Sequence, residues 1–296
     1  MPARWCTSSI PTCSAACRAW RQNSAGSSAM RLCDCRVVLT GASGGIGQAL
    51  AEQLCAEGAQ VIAVTRQPHA LEALQRLYPQ RIHSVQADLR SSAGRHAVLD
   101  AARRLGGINL LLNAAGVNQF ALFEQVDDEQ IDDLLAVNLV ATLQLTRALL
   151  PTLRNQPHAL IVNVGSTFGS IGYPGYAVYC ASKFALRGFS EALRRELADT
   201  GVGVLYVAPR ATRTGMNSSA AMALNEALNS KVDEPQRVAW QVTGAIERNL
   251  AELYLGWPEK LLVRLNGLLP GLVDRAIRKQ LPTIRRFTPI TETPPR

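Results

Sequence analysis

From residue 36 onward, short β-branched apolar runs alternate with longer stretches of helical period. That rhythm constrains the fold more than any other feature of the chain. Strands are expected at 36–40, 60–65, 82–87, 109–112, 159–164 and 202–207, and helices at 48–57, 70–78, 93–105, 128–153 and 176–198. Gly58 and Pro79 follow the first two helices as stop signals, and Pro151 stands near the end of the fourth. The strands are largely apolar on both faces, as a parallel sheet covered by helices on both sides requires. The pattern specifies an α/β chain with one doubly wound parallel sheet of about seven strands.

Size and charge narrow the function. Hydrophobic residues make up 47% of 296, enough for a large core and too many for a disordered chain. No apolar run reaches the ~18 residues that mark a transmembrane helix. The net charge of +8 sits at the ends: residues 1–35 carry +3 and 257–288 carry +5, whereas 36–256 balance 19 basic against 19 acidic residues. A nucleic-acid binder would carry its basic stripe on the folded body, so no nucleic-acid partner is expected.

Cys6, Cys13, Cys17, Cys33 and Cys35 crowd the first 35 residues, with Cys55 and Cys180 further on. An odd count without a secretory signal argues against a disulfide framework and for a reducing, cytoplasmic compartment. Neither Cys13-x3-Cys17 nor Cys33-x-Cys35 makes a zinc knuckle and no histidine lies near them, so no metal is expected. Residues 1–29 are rich in Ser, Ala, Cys and Arg without a hydrophobic period. They read as a disordered leader, or as a non-native extension with the start at Met30; a transit peptide is the other reading. The body then runs over 30–256, and 257–296 forms a basic tail segment.

Five pieces of the body carry chemistry. The first is Thr40-Gly41-Ala42-Ser43-Gly44-Gly45-Ile46-Gly47, between the first strand and the first helix. Glycines there permit a tight turn and close backbone approach to a pyrophosphate, which a helix N-terminus attracts. The second is Arg66, 19 residues past Gly47 at the end of the second strand. An NAD site would place a carboxylate near here for the ribose 2′-hydroxyl; a guanidinium suits the 2′-phosphate of NADP, unless it is simply a solvated surface arginine.

The third piece is Asp88-Leu89 together with Asn113-Ala114-Ala115-Gly116, at the carboxyl ends of two strands, where ligands bind in open α/β sheets. Asp88 would accept a hydrogen bond from an adenine amino group, or would cap the following helix. The fourth is Ser166, just beyond the fifth strand, able to hold a substrate carbonyl oxygen or merely to bond its own backbone. Asn138 joins it, since a mid-helix asparagine invites a local distortion that could hold a relay water through its backbone or side chain.

The fifth is Tyr179-Cys180-Ala181-Ser182-Lys183, which sets a phenol and an ammonium one helical turn apart. The ammonium is expected to lower the phenol's pKa from ~10 into a range useful for proton transfer.

In order and spacing these residues resemble the classical short-chain dehydrogenase/reductase family, over about residues 34–255. The resemblance implies a Rossmann-type domain and a hydride shuttle between NADP(H) and a carbonyl/alcohol pair. Tyr179 would be the acid/base, Lys183 would tune it and hold the nicotinamide ribose, Ser166 would orient the substrate oxygen and Asn138 would position a water. Gly41, Ser43, Gly45, Ile46, Gly47, Arg66, Asp88, Leu89, Asn113, Ala114 and Gly116 would hold the cofactor. So would Thr212 and Thr214, from Pro209-Arg210-Ala211-Thr212-Arg213-Thr214, where Arg210 stands in place of the family's glycine. That arginine either reaches an anionic substrate or the cofactor phosphates, or faces solvent. The family also implies a homodimer or homotetramer.

The substrate pocket is expected from 118–123, 168–176 and the region after Met216, whose apolar and aromatic residues favour a hydrophobic ketone, aldehyde or acyl group. A non-catalytic NADP-sensing regulator is the reading from a second class, although it would need no Tyr–Lys pair.

After Trp257-Pro258, Leu261, Leu265, Leu268, Leu272, Ala276 and Leu281 recur at roughly helical spacing among Lys260, Arg264, Arg275, Arg278, Lys279, Arg285 and Arg286. Pro270-Gly271 is expected to break this stretch into two short amphipathic helices. They would cap the substrate entrance, dock on the protein's own body or a partner subunit, or lie on an anionic membrane surface through 257–288, the last role amounting to a membrane adaptor.

Overall fold

The computed structural model describes residues 30–288. The expected leader and the end of the tail lie outside the described residues. The body contains β1 (Arg36–Thr40), α1 (Gly45–Ala56), β2 (Gln60–Thr65), α2 (Glu72–Leu77), β3 (Ile82–Gln86), α3 (Ser92–Arg104) and β4 (Leu110–Asn113). It continues with α4 (Asp128–Leu135), α5 (Ala141–Arg154), β5 (Ala159–Val164), α6 (Ala177–Glu196), β6 (Val202–Ala208), α7 (Ser219–Ala227), α8 (Pro235–Glu247) and β7 (Glu252–Tyr254). Two further helices, α9 (Glu259–Leu268) and α10 (Pro270–Phe287), follow.

The seven strands form one parallel sheet in the order β3-β2-β1-β4-β5-β6-β7. Alternation along each strand feeds two cores, one on each face of the sheet. Val37 and Leu39 join Leu50, Leu54, Val242 and Ile246 beneath α1 and α8. Val38, between them, faces Val98, Leu145, Leu149 and Leu193 on the opposite side. This is a Rossmann-type fold, and its strand order reverses between β1 and β4, which opens a crevice at the strands' carboxyl ends. Thr40 ties that switch point together, its hydroxyl accepting from the N–H groups of Ala114 and Ala115 at 3.1 Å each.

Three differences from the expected elements have physical causes. The seventh strand has no apolar run of its own; its three residues are ordered by pairing with Tyr206–Ala208 of β6. The expected helix 128–153 is one continuous run whose α period is interrupted by a π turn at Ala136–Val140, centred on buried Asn138. By length and composition Asp128–Arg154 could cross a membrane, yet Leu134, Leu145, Leu149 and Leu153 are buried in the protein. Finally, only α9 is short. Pro270 does divide the C-terminal segment, at the first position of α10, but α10 continues for 18 residues through Pro282.

The C-terminal pair closes over the carboxyl edge of the sheet. Ile284 of α10 is buried with Phe120, Tyr176, Ala221 and Leu224 in a third apolar cluster. Two hydrogen bonds fasten the pair to the loop before α6: Tyr173 Oη donates to Gln280 Oε1 at 2.7 Å, and Asn266 Nδ2 donates to the Ser170 carbonyl at 2.9 Å.

Candidate active site

A cavity of about 860 Å³ occupies the crevice. One end is the glycine loop. Gly41 has φ +66°, and a Cβ there would lie 2.7 Å from Ala115 Cα. A Cβ on Gly47 would lie 2.1 Å from the Gly41 carbonyl oxygen, so only glycine lets the loop fold back on the start of α1. The N-cap is Gly44, so no side chain covers the helix N-terminus. Gly41, Ser43, Gly45, Ile46, Gly47, Arg66, Ala114, Gly116, Thr212 and Thr214 all line this end. Ser43 is fixed by Thr65, whose hydroxyl donates to Ser43 Oγ at 2.7 Å. An uncapped helix end and a glycine cradle fit the pyrophosphate of a dinucleotide.

Three residues expected to contact the cofactor are not on the cavity wall. Asp88 is outside the cavity wall and is gripped by Arg90, whose Nη2 and Nε reach Oδ2 at 2.8 and 3.1 Å. Those hydrogen bonds hold its carboxyl below the usual range. It does not cap α3 either: Ser91 does, its Oγ accepting from Gly94 N at 3.0 Å. Leu89 packs against the core. Asn113 turns its side chain inward, donating to Asn163 Oδ1 at 2.9 Å and Thr146 Oγ1 at 3.2 Å. Asn163 in turn donates to Ser190 Oγ at 2.8 Å, so a buried polar chain binds β4, β5, α5 and α6.

Ser166, Tyr179 and Lys183 meet on the cavity floor. Ser166 lies two residues beyond β5 and accepts from Phe168 N at 3.1 Å, so it also bonds its own backbone as a loop serine would. Its hydroxyl interacts with that of Tyr179. Lys183, 4% exposed, donates from Nζ to the Val164 carbonyl at 3.1 Å and stands 5.7 Å from the centre of the Tyr179 ring. Asn138 is near but outside the cavity wall. Its Oδ1 accepts from Val117 N at 2.7 Å, and its Nδ2 donates to the Val117 carbonyl at 3.0 Å and to Ser182 Oγ at 3.2 Å. Ser182 donates to the Tyr179 carbonyl at 2.7 Å, so the π turn braces the helix that carries the tyrosine.

The electrostatics differ from the sequence expectation. Burial pushes the Tyr179 phenol up to about 12, with the Ser166 hydroxyl acting in the opposite sense, and burial pulls the Lys183 ammonium down to about 8. Loss of solvent is the largest influence on each group. At neutral pH Tyr179 keeps its proton and Lys183 its charge. A buried acid beside a buried cation is suited to protonating a developing oxyanion.

One contributor escaped the sequence reading, and one residue it named found other partners. Tyr206, 1% exposed, stands directly under Ser166: its hydroxyl donates to the Ser166 carbonyl at 3.2 Å and accepts from Ser166 N at 3.4 Å. A Cβ on Gly165 or Gly169 would lie 2.2 or 2.3 Å from that hydroxyl. Paired glycines flanking the serine were the only signal in the chain. Arg210, the residue in the glycine position, neither faces solvent nor is free for an anion. It grips Asp233 through Nε and Nη2 at 2.9 and 2.8 Å and reaches Glu259 of α9 at 3.3 Å.

The remaining wall is largely apolar, with Asn217, Asn225, Lys231, Glu259 and Gln280 among its polar members. Asn118, Phe168, Tyr173, Tyr176 and Met216 come from the expected segments, whereas Phe120 lies behind the wall, stacked on Tyr176 with ring centres 5.0 Å apart. Leu262, Leu265, Leu272, Val273, Ala276 and Ile277 of α9 and α10 complete it.

The chain matches known proteins in the region that builds this cavity. It is 33% identical over 180 residues to the 3-oxoacyl-(acyl-carrier-protein) reductase FabG of Escherichia coli, covering 60% of this chain and 74% of that protein. It is 30% identical over 254 residues to the ketoacyl reductase HetN of a Nostoc species, covering 82% and 88%. Among solved structures, a short chain dehydrogenase from Burkholderia cenocepacia in complex with NADP superposes with a TM-score of 0.73 at 27% identity, covering 84% of this chain and 99% of that one. The family model described as short chain dehydrogenase matches residues 36–225, and with that match the chain belongs to the short chain dehydrogenase family of oxidoreductases.

Proposed function

We propose that this chain is an NADP(H)-dependent oxidoreductase that interconverts a carbonyl and an alcohol on a hydrophobic small molecule. The observation that carries the reading is the meeting of Tyr179, Lys183 and Ser166 on the floor of a cavity whose other walls are a glycine cradle and an apolar cap. NADPH, when bound, supplies the hydride. The uncapped start of α1 and the backbone at 41–47 would hold its pyrophosphate, and Arg66 its 2′-phosphate. Ala114, Gly116, Thr212, Thr214 and Lys183 line the rest of its path.

Tyr179 gives its proton to the carbonyl oxygen in reduction and recovers it in oxidation. Lys183 stabilises the phenolate left behind, and Ser166 orients the oxygen. Asn138 acts at one remove: its amide is fully engaged with Val117 and Ser182, so its part is to hold the π turn and the cavity wall. The apolar wall supports a lipophilic ketone, aldehyde or acyl substrate. The buried, engaged Tyr–Lys–Ser group has no purpose in a protein that only senses NADP. The thiols of Cys35, Cys55 and Cys180 form no disulfide among the described residues, which suits a reducing, cytoplasmic setting.

The test is a panel of hydrophobic carbonyl compounds followed by NADPH absorbance, with Tyr179→Phe as control. Turnover by the wild type is expected on at least one class, with loss of at least about 1000-fold in Tyr179→Phe and NADPH affinity unchanged. Retained turnover in the variant would refute Tyr179 as the acid.

A further inference from the structure

Thirteen large apolar side chains are exposed among the described residues, and six of them fall within 257–272: Trp257, Leu261, Leu262, Leu268, Leu269 and Leu272. Leu268, at the turn between α9 and α10, is 81% exposed. A concentration of this kind marks a surface that meets something apolar.

The same hairpin is cationic. Lys260, Arg264, Arg275, Arg278 and Lys279 are all exposed, and none makes an ion pair among the described residues. Of the two acids in 257–288, Glu259 is already held by Arg210, leaving Asp274 alone against seven cations. The apolar surface is also continuous with the cavity, because Leu262 and Leu272 are both exposed and part of its wall.

We propose that the α9–α10 hairpin docks this protein on an anionic lipid surface. The apolar turn enters the headgroup boundary and the cations pair with lipid phosphates. Leu262 and Leu272 then face the acyl region, which gives a lipophilic carbonyl compound a path into the cavity that avoids water. This last step rests on the substrate class proposed above; the docking does not. Charge complementarity selects the occupant. A second copy of the chain on this face would bring two cationic hairpins together. An acidic protein surface would satisfy the cations and leave the leucines against charged groups. A bilayer accommodates both.

The experiment is flotation of the full chain with vesicles of phosphatidylcholine alone or mixed with phosphatidylglycerol. Flotation with the mixed vesicles, weakened by high salt and absent with phosphatidylcholine alone, is expected. Leu268→Glu combined with Leu269→Glu should reduce it at least about tenfold while NADPH binding is retained. A second readout needs no destabilising change: binding should blue-shift the tryptophan emission of the wild type, and Trp257→Phe should remove most of that shift. No flotation of the wild type, equal flotation of the double variant, or an emission shift that persists without Trp257 would overturn the proposal. So would capture of a soluble acidic protein with no vesicle binding. Tyr179→Phe should float like the wild type, so failure of the docking and failure of the catalytic reading are separable.

Discussion

A tyrosine at about 12 and a lysine at about 8 describe a site in which burial favours the neutral form of both proton carriers. At neutral pH the phenol keeps its proton, and the ammonium keeps its charge while donating to the Val164 carbonyl. Tyr206 belongs to the same machinery at one remove. Tyr206→Phe keeps the ring that fills the space beside Gly165 and Gly169 but deletes both hydrogen bonds to the Ser166 backbone. It is expected to cost about 1 kcal/mol in urea unfolding and to lower kcat several-fold with KM little changed, because Ser166 loses its orientation. An unchanged kcat would reduce Tyr206 to packing. At the opposite end of the cavity, Arg66→Asp should shift coenzyme preference from NADPH towards NADH by at least about tenfold, read from the ratio of kcat/KM values. An unaltered ratio would remove Arg66 from the phosphate site.

At the scale of elements, the loop after β6 and the helix α9 are one unit. Arg210 joins them through Asp233 and Glu259, partners 23 and 49 residues away in sequence. Asp233 is 5% exposed, so losing its guanidinium leaves a buried carboxylate with only exposed Arg237 at 4.0 Å. Arg210→Met is expected to destabilise the fold by about 3–5 kcal/mol in urea unfolding, and the double change with Asp233→Asn should recover most of that. Equal loss in single and double variants would show that the cost lies in Arg210 packing, not in the orphaned charge. The π turn is a second such device. An asparagine in mid-helix was readable as a distortion, but the bracing of Val117 and Ser182 depends on two segments meeting it in space.

For the whole molecule, the buried ammonium carries a stability cost with a defined sign. The folded state binds fewer protons at Lys183 than the unfolded state between about 8 and its ordinary 10.5, so its penalty is full below pH 8 and vanishes as pH rises through that window. The shift corresponds to about 3 kcal/mol. Lys183→Met should therefore be inactive yet more stable than the wild type at pH 7, with the difference shrinking towards pH 10.5. Taking the difference removes Cys35 and Cys55, whose thiols burial raises to about 12 and which weaken both proteins alike above pH 9. A difference flat with pH would mean that Lys183 is not desolvated.

Read along the chain, local chemistry determined the strands β1 to β6, the glycine loop and the Tyr179–Lys183 spacing. Each is a pattern of neighbours: alternation, a turn, one helical repeat. Tertiary packing alone decided that β7 forms, that Asn113 turns into the interior, and that Arg210 anchors α9. It also decided that the C-terminal helices close the cavity, and that burial raises the phenol. The physical reason is the same in each case: side-chain direction and solvent loss depend on groups far apart in sequence, and no local period records which of them will meet.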